Sequence, residues 1–272
     1  MRKTKIIVFC NQKGGVGKTS ICAGVAGCLN ALGKVVLAID LDPQGNLGYS
    51  LGADMEHPYS THTALTGKVD LYDAVQHTDT CDCVISDLEL SNAENEIGNA
   101  IGREMILKEQ LDHFAYEYDY VLLDTPPAIN LLTINAFTAA DWVIVPMLPE
   151  VLCMLGVRQL FETVGMVNEH YNRRLEVRGI VLNKYNHRLK LTTEMKELAE
   201  LAANQYGAEV FKTTITQGIA IAEAPAHGMT IYDYAPKSTA ASEMMQLTYE
   251  IVGAPSSIPK RPLSKKGFKL KR

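Results

Sequence analysis

The sequence predicts an α/β fold: a mostly parallel, twisted β-sheet with helices on both faces. Three observations carry this reading. Short apolar runs recur along the 272-residue chain, at 5–10, 35–40, 120–124 and 142–147, as expected of strands buried on both sides. Between several of them lie segments whose apolar residues recur at helical spacing. A glycine-rich stretch, FCNQKGGVGKT (9–19), joins the first run to the first such segment.

In order along the chain, residues 5–10 form the first strand and end at the glycine loop. Ile21, Val25, Cys28, Leu29 and Leu32 then mark a helix that stops at Gly33. Residues 35–40 form the second strand, which completes a βαβ unit. Residues 83–85 read as a short strand, 93–114 as one helix, and 120–124 (YVLLD) and 142–147 (WVIVPM) as strands. A helix over 155–171, a strand over 179–183, a helix over 191–206, a last strand over 210–215 and a closing helix over 239–252 continue the alternation. Such alternation implies a parallel sheet with helices on both faces. One domain over 1–252 is expected, followed by a tail, 253–272.

Composition narrows the function. The formal net charge of −5 is unevenly distributed: seven Lys/Arg and no Asp/Glu fall in 253–272, so an acidic body carries a basic tail. The apolar run near the N-terminus stops at Asn11, too short for a signal-peptide core, and no uncharged apolar stretch reaches 18 residues. Six scattered cysteines (10, 22, 28, 81, 83, 153) without a secretory signal read as reduced, mostly buried thiols of a cytoplasmic protein. Cys81 and Cys83 are the one close pair, and their spacing is not that of a cluster-binding C-x-x-C motif.

The loop points to phosphate. Gly14, Gly15 and Gly17 let backbone N–H groups approach an anion closely, and the helix starting near Lys18 adds its N-terminal dipole. Val16 and Ser20 complete the segment in contact with the anion. Lys18 would neutralise the β/γ-phosphates and the Thr19 hydroxyl would ligate Mg²⁺. Two features depart from G-x-x-x-x-G-K-[ST]: Gln12 replaces its first glycine, and Lys13 adds a second lysine. Asp124 ends the YVLLD run, where a carboxylate can hold Mg²⁺. Asp40 and Asp42 close the second strand at the same edge of the sheet. Carboxylates beside a bound triphosphate repel it unless they face Mg²⁺ or an attacking water, which makes hydrolysis plausible.

Taken together, KGGVGKT (13–19), DLDPQGN (40–46), VLLDTPP (121–127) and EAPAHG (223–228) resemble the ParA/MinD family of deviant Walker A P-loop ATPases over about residues 5–252. DPQGN, DTPP and EAPAHG…YAPKS resemble the ParA-type, Soj-like DNA-partitioning branch. The resemblance implies ATP and Mg²⁺ as ligands and an ATP-bound sandwich homodimer. It places Lys13 across the dimer interface on the partner's phosphates, a cation supplied where charge develops during phosphoryl transfer. Asp42 is implied to position the water, Asp40 and Asp124 to belong to the Mg²⁺ site, and Asn183 to recognise adenine. The branch also implies non-specific DNA binding, a ParB-like partner that stimulates hydrolysis, and association with the nucleoid. Lys184, Arg188, Lys190 and Lys212 are candidate phosphate-backbone contacts, although Gln217 stands where similar proteins often carry Arg.

The alternative is a MinD-like membrane-positioning ATPase. The prolines at 259 and 262 and Gly267 disfavour the amphipathic tail helix that reading needs. With its first strand starting near residue 5, the chain is expected to lack an N-terminal helix-turn-helix domain.

Overall fold

The computed structural model describes residues 4–253; the basic tail from residue 254 lies outside the described residues, as does the side chain of Cys153. The elements run β1 (Lys5–Phe9), α1 (Lys18–Ala31), β2 (Val36–Asp40), α2 (Asn46–Leu51), α3 (Thr61–Leu65), β3 (Gln76–His77), β4 (Asp82–Val84), α4 (Leu90–Ile97), α5 (Ile106–Phe114) and β5 (Tyr120–Asp124). They continue with α6 (Leu131–Ala139), β6 (Trp142–Met147), α7 (Val151–His170), β7 (Glu176–Tyr185), α8 (Lys190–Gln205), β8 (Ile215–Thr216), α9 (Ile219–Glu223), α10 (Ile231–Tyr234) and α11 (Thr239–Val252).

The strands form one eight-stranded sheet in the order β3-β4-β2-β5-β1-β6-β7-β8, with only β3 antiparallel to its neighbour. This is the doubly wound, mostly parallel architecture that the alternation predicted. Successive strand residues face opposite layers, so each strand contributes to both cores. Val8, Leu37, Ile39, Val121, Leu123 and Val145 pack under α5, α6, α7 and α8. Ile7, Phe9, Ala38, Leu122 and Ile144 pack under α1 and α11.

One topological fact prepares the site. β5 lies between β1 and β2, with Phe9 and Asp40 both in register with Asp124. Strand pairing alone therefore sets the end of YVLLD between the glycine loop and the DLDPQGN loop.

Two expectations need correcting. The helix expected over 93–114 is two helices, α4 and α5. The chain turns between them through Gly98 and Gly102 (φ 73°), and buried Asn135 of α6 accepts the Leu107 N–H at 3.1 Å and donates to the Arg103 carbonyl at 2.8 Å. The strand expected over 210–215 shrinks to a single bridge at Val210 and the two residues of β8. Its backbone is satisfied elsewhere: Glu250 of α11 accepts the N–H groups of Lys212 and Thr213, and Glu243 accepts that of Thr216.

Helix α1 approaches its neighbours closely because it carries glycine at positions 24 and 27. A Cβ at Gly27 would lie 2.2 Å from Thr230 Oγ1 and 2.9 Å from Thr230 Cβ, a short buried side chain with little room to yield. Gly27→Val is expected to cost about 1–3 kcal/mol by overpacking. Gly165 is the contrasting case: it is exposed within α7 and has nothing within 4 Å of an added Cβ. Gly165→Ala is expected to stabilise by about 0.5–1 kcal/mol. Urea unfolding midpoints of the two variants should move in opposite directions.

Candidate functional site

The loop after β1 is held to the sheet by a side-chain hydrogen bond. Buried Asn11 donates to the Pro146 carbonyl of β6 at 2.7 Å and accepts the Lys13 N–H at 2.9 Å. Gly15 and Gly17 take left-handed conformations (φ 74° and 93°) that favour glycine. Gly17 is the N-cap of α1, so the first turn of that helix opens onto the loop. A Cβ at Gly17 would lie 2.1 Å from Asn183 Nδ2, so glycine is required there on two counts.

Lys18 is buried at the head of α1, and the Thr19 hydroxyl donates to Asp124 Oδ2 at 2.6 Å. Asp124 is fully buried, and its other oxygen, Oδ1, has no hydrogen-bond partner. A buried carboxylate oxygen without a donor implies a missing cation or proton. Burial pushes the Asp124 carboxyl up to about 7, against the Thr19 hydrogen bond and the Lys18 charge, which pull it down. A cation held by Oδ1 and the Thr19 hydroxyl fits this donor set.

Asp40 is equally buried but differently engaged. Its Oδ1 accepts the Asp42 N–H at 3.0 Å and its Oδ2 the Leu47 N–H at 2.9 Å. Asp40 thus holds the 40–46 loop against the start of α2, whereas Asp124 is the carboxylate with an open oxygen. Burial, and then Asp124 beside it, push the Asp40 carboxyl well above the usual carboxylate range. Asp42 is half-buried; its Oδ1 accepts the Gln44 N–H at 3.1 Å, and the residue lines the cleft.

The cleft encloses about 750 Å³. Gly14, Gly15, Gly17, Lys18, Thr19 and Ser20 line it, and Ile221, Ala222 and Pro225 give it an apolar wall. Pro225 lies in the EAPAHG motif (223–228) and Ile221 and Ala222 just before it, in one continuous segment. It is seated against α2 by a glycine–glycine contact: a Cβ on Gly52 would lie 2.7 Å from the Gly228 carbonyl oxygen. Val16 is buried beneath the loop. Asn183 lines the cleft too, and its Nδ2 donates to the Val16 carbonyl at 2.7 Å.

Lys13 does not line this cleft. Its ammonium pairs with Glu150, the N-cap residue of α7, at 2.6 Å. Glu150 was not singled out in the sequence; the partners are 137 positions apart, and no local pattern joins them.

The four basic candidates, Lys184, Arg188, Lys190 and Lys212, are all exposed. Lys184 sits in the cleft, its ammonium donating to the Gly15 carbonyl at 3.1 Å. Arg188 and Lys190 are exposed at the start of α8, and Lys212 lies beside Glu250 of α11. Gln217 lines the cleft. Cys81 and Cys83 are buried, with burial pushing the Cys83 thiol up to about 12, and no metal-holding cluster of His, Cys, Asp or Glu occurs among the described residues. No helix among the described residues is long and apolar enough to cross a membrane.

A glycine loop at a helix N-terminus, a buried lysine and a threonine–carboxylate pair at the edge of a parallel sheet define a P-loop nucleotide-binding protein. Residues 4–177 match the AAA domain family. The chain is 36% identical over 252 residues to the sporulation initiation inhibitor protein Soj of Bacillus subtilis, covering 91% of this chain and 98% of that one. It is 34% identical over 253 residues to the chromosome partitioning protein ParA of Caulobacter vibrioides, with coverages of 91% and 94%. Among solved structures, cobyrinic acid a,c-diamide synthase from Mycobacterium smegmatis with bound ATP analogue and magnesium superposes with a TM-score of 0.80. The identity there is 31%, over 90% of this chain and 93% of that one. The chain belongs to the Soj/ParA family of partitioning ATPases.

The raised carboxyl of Asp124 makes stability depend on pH. The folded state favours its protonated form, so this contribution is complete below the ordinary carboxylate range, near 4, and is lost as pH rises through about 7. Asp124→Asn carries no charge and removes that loss. In the nucleotide-free protein, the fall in urea midpoint from about pH 5 to about pH 8 should be smaller for Asp124→Asn than for the wild type.

Proposed function

We propose that this chain is an ATP-driven DNA-partitioning switch: it binds ATP with Mg²⁺, closes into a homodimer that holds DNA non-specifically at the nucleoid, and is released when a ParB-like partner stimulates hydrolysis. The observation that carries the nucleotide half is the buried Asp124 with its open Oδ1 beside Thr19 and Lys18. Thr19 and Asp124 would hold the metal, which when bound supplies charge neutralisation on the phosphate oxygens.

This chain's own residues do the rest. The N–H groups of the loop and of the first turn of α1 bind the phosphates, and Lys18 offsets their charge. The apolar wall of Ile221, Ala222 and Pro225 excludes water from the base, with Asn183 at its edge. Asp42, on a loop braced by Asp40, orients the attacking water.

Lys13 supports the dimer. With Lys18 already in the cleft, a second ammonium at the same phosphates would be repelled, and Lys13 is instead turned onto Glu150. In the closed dimer it is transferred to the partner's phosphates, adding positive charge where the transition state develops negative charge. Arg188, Lys190 and Lys212, all exposed, are candidates for salt-sensitive DNA contact.

Lys18→Ala should lose ATP binding nearly completely in a fluorescent-nucleotide titration; unchanged affinity would remove the phosphate cradle from the reading. Asp42→Ala should bind ATP normally, hydrolyse it at least about tenfold more slowly and accumulate as a DNA-bound dimer, measured by light scattering and mobility shift. ATP-dependent sedimentation with anionic vesicles, without DNA binding, would instead establish a membrane-positioning switch.

A further inference from the structure

We propose that Asn183 and Lys184, consecutive at the end of β7, are positioning residues that clamp two successive carbonyls of the phosphate loop, with the Lys184 ammonium setting nucleotide affinity. The proposal rests on the nucleotide reading above but assigns Lys184 a different partner from the DNA expected of it.

The clamp is visible in three hydrogen bonds. Asn183 Nδ2 donates to the Val16 carbonyl at 2.7 Å, and Lys184 Nζ donates to the Gly15 carbonyl at 3.1 Å. The Lys184 N–H donates to Asn183 Oδ1 at 2.9 Å, which orients the amide that makes the first contact. Asn183 is buried and packs directly on Gly17, so the grip leaves no slack on that side.

The backbone is distorted where the clamp is built. Lys184 has φ 51° and is the non-glycine residue in left-handed conformation among the described residues. Such a conformation is unfavourable for an L-residue, because it brings Cβ close to the following carbonyl oxygen. The pairing of β7 with β8 shifts register between Asn183 and Tyr185, so Lys184 is the extra residue of a bulge. A bulge re-aims a side chain. Here Asn183 and Tyr185 remain buried while Lys184 is turned out over the loop. Strain at such a position persists when the surrounding structure over-determines it, and it clusters at functional sites.

The physical consequence follows from the planar trans peptide. Each carbonyl is rigidly coupled to the N–H of the next residue, which points the opposite way. Holding the carbonyls of Gly15 and Val16 toward β7 therefore turns the N–H groups of Val16 and Gly17 away from it. The loop is flanked by glycines with a wide choice of backbone angles, so an unheld loop loses this alignment and must regain it on binding. The ammonium also opposes the build-up of partial negative charge from the carbonyls. A clamp on the loop backbone should act alike on every nucleotide that uses the loop, whereas a cation touching the terminal phosphate should favour ATP over ADP.

The test uses the full chain and three variants: Lys184→Met, Lys184→Arg and Lys184→Gly. ATP and ADP affinities are measured by titration with Mg²⁺ present, and DNA affinity is measured at saturating ATP. Lys184→Met is expected to weaken ATP and ADP binding by a similar factor, about tenfold, and to raise KM more than it lowers kcat. Lys184→Arg should recover most of the affinity. Lys184→Gly, which relieves the backbone but removes the ammonium, should behave like Lys184→Met. Loss of ATP but not ADP affinity would overturn the clamp in favour of a direct phosphate contact. Wild-type nucleotide affinity in Lys184→Met or Lys184→Gly would overturn it outright, and weakened DNA binding alongside would return Lys184 to the DNA surface. Because wild-type binding is measured in parallel, failure of the nucleotide reading (no ATP binding by the wild type) is distinguishable from failure of the clamp.

Discussion

The structure turns on two carboxylates placed side by side where water cannot reach them. Asp40 and Asp124 end adjacent parallel strands in the same register, both fully buried. Two such charges cannot both ionise in a dry setting without compensation, and the protein provides only part of it. Backbone N–H groups satisfy Asp40 and the Thr19 hydroxyl satisfies half of Asp124, while Lys18 lies buried nearby. What remains is an unmet demand for positive charge at one oxygen, and the rest of the site is arranged around it.

That arrangement depends on strand order more than on any local motif. Because β5 is inserted between β1 and β2, three chain segments widely separated in sequence end at one edge of the sheet. The loop is then restrained from several directions: Asn11 ties it to β6, Asn183 and Lys184 tie it to β7, and Lys13 reaches Glu150 at the head of α7. Asn11 also takes up the Lys13 N–H, whereas the contacts from β7 engage loop carbonyls and leave the following amides for the cleft. A loop rich in glycine would otherwise carry a large entropic cost of ordering, and these long-range contacts meet it in advance.

Much of this was legible in the sequence, for identifiable reasons. Strands buried on both faces are wholly apolar, so β1, β2, β5 and β6 stood out, and the glycine–lysine–threonine loop has few other uses in its context. Helix α6 was not legible, because it is buried on nearly all sides and LLTINAFTA has no amphipathic period. The break between α4 and α5 was missed because it is stabilised by Asn135, from another helix. The last strand was overestimated because carboxylates of α11 capture its amides.

The sequence alone determined the layered fold, the phosphate loop and the identity of the acidic groups near it, since these follow from periodicity and from residue types that suit little else. Tertiary structure decided which carboxylate keeps an open oxygen, where Lys13 rests, that the Lys184 ammonium reaches the Gly15 carbonyl, and that Ile221, Ala222 and Pro225 give the cleft an apolar wall. The reason is range. Hydrophobic periodicity and backbone preference act within a few residues, whereas hydrogen-bond partners and burial are set by which strands lie next to one another, and nothing local in the chain encodes that.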